Sequence, residues 1–481
     1  MLAAGVAPFA AAESLGDAIA LAYETNPTLQ AQRAQQRATD EEWVQAESGL
    51  RPTVSVSGAY QYEHQKISIP SGAFSATIAG PVGNAIITVN QPIFTGGQAT
   101  AKLDAAQADI LAGRETLRRT EISVLQSVVG AYLDVRRDQE QLEISQDNVS
   151  VLSRQLDETT AKFNAGVLTR TDVAQSQARL AQARSQLAGA QSTLAQARAA
   201  YAAVVGQNPG ELAPEPPIAG LLPPTVDAAF DAAERDNPQL RQAVFAEQAS
   251  AARLAQAKAQ MRPRVSLQGQ YGYIGQLSTT GIGQSFLENE TGGAISANVD
   301  VPVFAGGLNA SDVRQAAEQD NVSRIGVESA RREVLQAVSQ SWNQLLGARA
   351  SLTADEEQVR SDTVAYEGVR EEQKVGLRTI LDVLNAQQEL EQSQLALVGA
   401  RHDEYVAAAA VLAAMGALEA RELIPGEPRY DPKANFDRVR RAVGWVPWEG
   451  AVGAIDRLGG PRPTPAPPPS LPGEVVRTQA P

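Results

Sequence analysis

Two spacings of apolar residues alternate along the chain, and each occurs twice. The first is a period of two. Val54, Val56, Tyr60 and Tyr62 alternate with Ser55, Ser57, Ala59, Gln61 and Glu63, and Val265, Leu267, Tyr271 and Tyr273 alternate with Ser266, Gln268, Gln270 and Gly272. The return segments keep the rule, with Ile295, Ala297, Val299, Val301 and Val303 set against Ser296, Asn298 and Asp300. A period of two gives a strand one apolar and one polar face. It predicts strands over 52–64, 84–94, 263–275 and 294–304, joined by outer loops over 65–83 and 277–293.

The second spacing is a heptad. Leu103, Ile110, Leu117 and Val124 lead, after an eleven-residue step, to Val135, Leu142, Val149, Leu156 and Phe163. Val313, Val327 and Val334 lead through the same step to Leu345, Leu352, Val359 and Tyr366, with Asp320 a gap. Such a step locally unwinds a supercoil. Long helices follow over 98–163 and 308–373, each ~100 Å at ~1.5 Å per residue. Helices over 172–206 and 382–416 carry a second, small-residue stripe, so each has two neighbours (Ala174, Ala181, Ala188, Ala195 and Ala202 in the first). A further helix precedes each strand pair, over 14–48 and 225–259, and ends before Arg51-Pro52 or Arg262-Pro263, since a residue before proline disfavours the α region. The two shorter helices together match the long one, so stacked end to end they would form one wall column beside it.

The order of elements repeats at a spacing of 211 and then 210 residues. The first repeat runs over 13–206 and the second over 225–416, with a proline-rich linker at 207–224. Each contains a glycine turn before a helix start: Gly166, Val167, Leu168 and Thr169 in one, Gly376, Leu377 and Thr379 in the other. These turns are the candidate working end. Residues 1–12 read as the remnant of a secretory signal, with the mature chain starting near Glu13, so export is implied. Residues 417–460 form a C-terminal segment able to fold on the body, and the proline-rich 461–481 is expected to be disordered.

Alternation alone fits a half-buried soluble sheet as well as a membrane barrel, and heptads alone fit a soluble bundle or an elongated scaffold or adhesin. Four strands cannot close a barrel. Three copies would supply twelve, an even number of the kind outer-membrane barrels use. The net charge of −14 argues against nucleic-acid binding. With no cysteine there is no disulfide, thiolate metal site or lipid-modified N-terminal Cys. His64 and His402 stand alone, Glu41-Glu42 and Glu356-Glu357 read as solvated helix faces, and Gly281-Ile-Gly283 reads as a flexible loop. The sequence contains no phosphate-binding, zinc-protease or serine-hydrolase motif. Neither an enzyme nor a cofactor site is expected.

Over residues 14 to about 416 the sequence resembles the TolC family of outer-membrane channel-tunnels. The Arg-Pro strand openings carry the likeness, with Gln91-Pro-Ile-Phe-Thr-Gly-Gly97, Val301-Pro-Val-Phe-Ala-Gly-Gly307 and the tip Val375-Gly-Leu-Arg-Thr-Ile-Leu-Asp-Val-Leu-Asn385. The resemblance implies a mixed α+β membrane protein: a homotrimer with a twelve-stranded β-barrel in outer-membrane lipid and a coiled-coil periplasmic tunnel. It implies partnership with a periplasmic adaptor and an inner-membrane ABC or proton-driven pump. It tilts the cargo toward type I protein secretion, with small-molecule efflux the alternative. Carried onto matching positions, Asp382 lines the constriction and Asn385 replaces a second aspartate there. Arg378 matches a linking arginine with Thr171 and Asp172 as partners, and Gln373 stands where a tyrosine is usual. For Asp172 and Asp382 the plainer role is a charge complementing a helix N-terminus.

Overall fold

The computed structural model describes residues 12–68, 75–279, 285–420, 430–442, 444 and 446–461. Each repeat begins with a short helix, α1 (Leu15–Thr25) or α5 (Val226–Asp236), followed at once by α2 (Pro27–Glu47) or α6 (Pro238–Ala259). The single helices expected over 14–48 and 225–259 are thus both broken at an Asn-Pro pair. Proline lacks the N–H that continues a helical ladder and fits best in the first turn of a new helix. The asparagine completes the break. Asn26 Oδ1 accepts from the Thr28 and Leu29 N–H groups at 3.0 and 3.3 Å, and Asn237 Oδ1 accepts from Gln239 and Leu240 at 2.8 and 3.4 Å.

The strands are β1 (Thr53–Ser68), β2 (Ser75–Phe94), β3 (Arg264–Thr279) and β4 (Ser285–Asp300), one antiparallel sheet in the order β1-β2-β3-β4. They reach further outward than expected. Residues 65–68, 75–83, 277–279 and 285–293 are strand, not loop, because the ladders continue past the alternating stretch. Residues 69–74 and 280–284, with Gly281 and Gly283, lie outside the described residues. At the other end β4 stops at Asp300, opposite Arg264, rather than running to 304. β3 offers it no partner beyond, and Pro302 has no N–H to give. β2 passes its own proline by a register shift between Pro92 and Phe94.

Pairing puts the alternating apolar residues on one face. Val54 lies opposite Val89, Val56 opposite Ile87, Ile87 opposite Tyr271, and Gly269 opposite Ile295. Val56, Tyr60 and Ile295 are 74, 82 and 83% exposed in the single chain. The other face carries Ser55, Thr88, Gln270 and Asn298. One side is apolar and one is polar.

The long helices are α3 (Gln98–Asn164) and α7 (Leu308–Lys374), 67 residues each and so ~100 Å. After a turn each returns as α4 (Arg170–Val205) or α8 (Ile380–Met415). The stacking expected from helix lengths is present at atomic level. Asn26, which starts α2, donates its Nδ2 to Val204 O at the end of α4, and Asn237 donates to Ala414 O at the end of α8, at 3.0 and 2.7 Å. Near these joints lies the main core, a girdle of Ile19, Val128, Tyr132, Tyr201, Phe230, Val338 and Leu412.

The C-terminal segment folds back along α2 as α9 (Pro432–Ala442) and then against the end of β2 and the start of α3 as α10 (Glu449–Gly459). Phe436 meets the Trp43 ring edge-on at 5.5 Å, and Asn435 donates to Asp40 at 2.7 Å. Asp456 is fully buried at the start of α3, whose own N-cap, Gly97, has no side chain to give. Its carboxylate accepts from the Thr95, Gly97 and Thr100 N–H groups at 2.6, 3.2 and 3.3 Å and from both threonine hydroxyls. An anion there satisfies orphan amides and the positive end of the helix dipole. The tail expected over 461–481 lies beyond the described residues after 461, and the signal remnant expected over 1–12 lies beyond them except at residue 12.

Candidate functional site: the paired helical tips

Furthest from the sheet, α3 and α7 end in the same way. Gly166 and Gly376 take the left-handed conformation, at φ +77° and +83°. Val167 N–H reaches back to Lys162 O and Leu377 N–H to Glu372 O, both at 2.9 Å, while the glycine N–H groups bond Phe163 O and Gln373 O. This is the Schellman turn, which satisfies the last carbonyls of a helix and favours glycine at the left-handed position. An added Cβ at either glycine would meet nothing within 4 Å, so backbone angle, not space, selects the residue. The turn pushes Val167 and Leu377 into solvent at 71 and 76% exposure, with Leu168 half-buried beside them.

The next helices start with matching capping boxes. Thr169 Oγ1 accepts from Asp172 N–H, and the Asp172 carboxylate accepts from the Thr169 N–H and hydroxyl; Thr379 and Asp382 repeat the arrangement. These bonds hold both carboxyls below the usual carboxylate range, the backbone bond contributing most and the hydroxyl next. The plainer helix-end role is therefore visible for both aspartates. The pore-lining role of Asp382 depends on neighbouring copies.

The sequence expectation for Arg378 is corrected within the chain. Its Nε donates to Glu372 Oε2 at 2.8 Å, six residues back across its own turn, and no bond joins it to Thr171 or Asp172. The turn brings the last carboxylate of α7 within reach of Arg378, and Asp172 is occupied by Thr169. Gln373 is half-buried, its carbonyl accepting the Gly376 N–H.

The two hairpins are joined elsewhere. Arg179 on α4 donates from Nη2 to Asn385 Oδ1 at 3.0 Å and from Nη1 to Gln388 Oε1. Sequence reasoning missed Arg179, because nothing local marks which of many polar residues on an Ala- and Gln-rich helix meets the second hairpin. Beneath that link Ile380 and Leu384 pack with Leu152, Leu180 and Ala183. Next comes a buried polar layer, where Gln387 donates to Asn148 at 3.2 Å and burial pushes the neighbouring Glu391 carboxyl up. The tips thus form a rigid pair with exposed apolar ends, a polar clasp and no catalytic grouping among the residues described above.

Two 67-residue helices below an apolar-faced sheet fit the class of outer-membrane channel proteins. The family model for "Outer membrane efflux protein" matches residues 18–207 and 229–417, and the chain belongs to that family. It is 32% identical to the outer membrane efflux protein BepC of Brucella suis over 431 residues, 90% of this chain and 91% of that protein. It is 25% identical to outer membrane protein TolC of Escherichia coli, covering 87 and 85% of the two chains. It is also 25% identical to the alkaline protease secretion protein AprF of Pseudomonas aeruginosa, covering 70% of each. In fold it is similar to the crystal structure of VceC from Vibrio cholerae, with a TM-score of 0.70, 21% identity and 84 and 96% coverage. No helix among the described residues is long and apolar enough to cross a membrane.

Proposed function

We propose that three copies of this chain close a twelve-stranded barrel in the outer membrane of a Gram-negative bacterium. Below it their helices would form a periplasmic export tunnel. One observation carries the reading: a four-stranded sheet, apolar on one face and polar on the other, whose outer strands β1 and β4 each have a free edge in the single chain. A lone soluble sheet would bury the apolar face under helices, whereas Val56, Tyr60 and Ile295 are open. Closing the edges against further copies satisfies the backbone and turns the apolar face to lipid. The tips, with Val167, Leu168 and Leu377 outermost, offer a periplasmic adaptor its grip. The adaptor would connect the duct to an inner-membrane ABC or proton-driven pump. Six tips would surround the aperture, with Asp382 and Asn385 lining it, Arg179 clasping the two hairpins together and Arg378 bracing its own turn through Glu372.

For cargo, the name of the 32% identical BepC, an outer membrane efflux protein, favours efflux. The name of AprF favours the second reading, export of a protein, which is also what the tip motif suggests. Recording from the purified protein in a planar bilayer tests the duct itself. Cation-selective steps that enlarge in Asp382→Ala and Arg179→Ala support it, and silence from the wild type and both variants overturns it.

A further inference from the structure

The C-terminal helix α10 is tied to one particular side of the sheet. Trp448, the residue before it, donates its indole N–H to Gln91 Oε1 at 2.9 Å. Gln91 lies two and four residues beyond Val89 and Ile87, so its side chain shares their apolar face, at the end of the strand nearest the helices. There the amide is fully used, its Nε2 donating to Leu50 O and Pro92 O at 3.0 and 2.7 Å. Phe94, brought to the same face by the register shift, lies against Gly459, where an added Cβ would come within 2.5 Å of its ring. Val452 and Asp456 complete the inward side of α10, at 5 and 0% exposure.

The outward side is apolar and uncovered. Trp448, Ile455 and Leu458 are 49, 46 and 87% exposed, and their spacing of seven and three places them on one stripe. The preceding α9 carries exposed Arg438, Arg440 and Arg441 in a chain whose overall charge is −14. An apolar stripe with a tryptophan at its edge and arginines alongside is the pattern of a helix lying in a membrane interface.

We propose that α10 is an interfacial anchor whose Trp448, Ile455 and Leu458 enter the periplasmic leaflet of the outer membrane, with the α9 arginines meeting anionic phospholipid headgroups. The occupant follows from continuity: α10 sits on the lipid-facing side of the sheet, directly below its apolar belt. The inference rests on the reading of that sheet as a membrane barrel. In a chain without cysteine to acylate, this helix would secure each protomer at the water–lipid boundary, while Asp456 transmits the hold to the start of α3.

Because the chain has no cysteine, one introduced thiol is a unique label. An environment-sensitive fluorophore is placed on Leu458→Cys, on Tyr62→Cys in the sheet belt and on Val375→Cys at the far tip. The full-length protein is reconstituted in phosphatidylethanolamine–phosphatidylglycerol vesicles containing a shallow nitroxide lipid. Labels at 458 and 62 are expected to lose about half their emission to the quencher while the label at 375 loses none, as interfacial insertion requires. Quenching at 62 without quenching at 458 overturns the anchor and leaves the barrel reading intact. A 458 label that is shielded from lipid and cross-links to a second copy also overturns it. No quenching at 62 overturns the barrel reading and the anchor with it.

Discussion

Arg179 and Asn385 stand 3.0 Å apart, Nη2 to Oδ1, and so tie the first helical hairpin to the second close to the tips. Neither belongs to a turn or a capping box; the pair exists because α4 and α8 converge there. Arg179→Ala deletes this bond together with the one to Gln388 Oε1; at about 0.5 kcal/mol for each partly exposed bond the loss is about 1 kcal/mol, or a roughly fivefold shift between closed and open arrangements. Arg179→Ala should therefore raise open-state occupancy in bilayer recordings about fivefold. Arg378→Ala, whose partner Glu372 lies on its own hairpin, should alter it less. Equal effects would show that the clasp has been placed at the wrong arginine.

The two capping boxes give the tips a defined acid limit. Asp172 and Asp382 are held below the usual carboxylate range in the folded chain, so their contribution is complete above the unfolded value near 3.8 and is lost as pH falls through the lower folded value. Hydrogen exchange at the first turns of α4 and α8, corrected for its intrinsic pH dependence, should be constant from neutrality down through about pH 5. Thr379→Ala should loosen α8 at every pH, by about 1 kcal/mol for a lost N-cap.

His402 imposes the opposite slope. Burial works against its charge, but Asp134 and Asp403, 3.1 and 2.9 Å from its two ring nitrogens, outweigh that and hold the imidazole above its ordinary 6.5. Arg137 opposes them while itself pairing with Asp134 and Asp138. Stabilisation by the charged ring is full below pH 6.5 and disappears as pH rises through the raised value. The melting temperature of the wild type should fall from pH 6 to 8, and that of His402→Gln should fall less, as scanning calorimetry would show.

Asp456 secures the C-terminal segment to the first repeat and to no other. Its hydroxyl partners Thr95 and Thr100 correspond to Ala305 and Ala310 in the second repeat, so the twin helix start at Gly307 cannot bind it in the same way. Asp456→Ala leaves the N–H groups of Thr95, Gly97 and Thr100, at and just before the start of α3, without their acceptor, a loss of about 2–3 kcal/mol. Limited proteolysis should then cut between α9 and α10 much faster, while Asp312→Ala, on the second long helix, leaves that rate unchanged.

The amount readable from sequence follows the range of each interaction. Alternation of Val54, Val56, Tyr60 and Tyr62 identified the strand faces, and the matched lengths of the helices anticipated the column that Asn26 and Asn237 join. The same asparagines show the limit: each was visible as half of a repeated Asn-Pro pair, yet the helix break depends on a side chain serving two helices at once. Strand ends are illegible for a similar reason, since β4 halts at Asp300 only because β3 begins at Arg264. At the tips, Thr169, Asp172, Thr379 and Asp382 could be read locally. The sequence pairs Arg378 with Thr171 and Asp172 across the hairpins, whereas within the chain it bonds Glu372, six residues away, and Arg179 becomes visible only once two distant helices are brought together.

Gly96 and Gly306 share a left-handed backbone but not a setting. A Cβ at Gly96 would strike Arg262 at 2.7 Å, whereas around Gly306 there is nothing within 4 Å. One glycine is crowded by the second repeat of its own chain; the other faces open space at the free edge of β4. If copies join as proposed, the β2–β3 seam is the template for the seam between chains, and Asn90 opposite Gln268 becomes Asp300 opposite Ser57 of the next copy. A cysteine pair at Asn298 and Ala59 should then cross-link copies into a closed ring, and Gly306→Ala should impair assembly while leaving the lone chain folded. The duplication would thus have solved one docking problem and used the answer twice, so that each molecule carries inside itself a full-scale cast of the surface its neighbour must present.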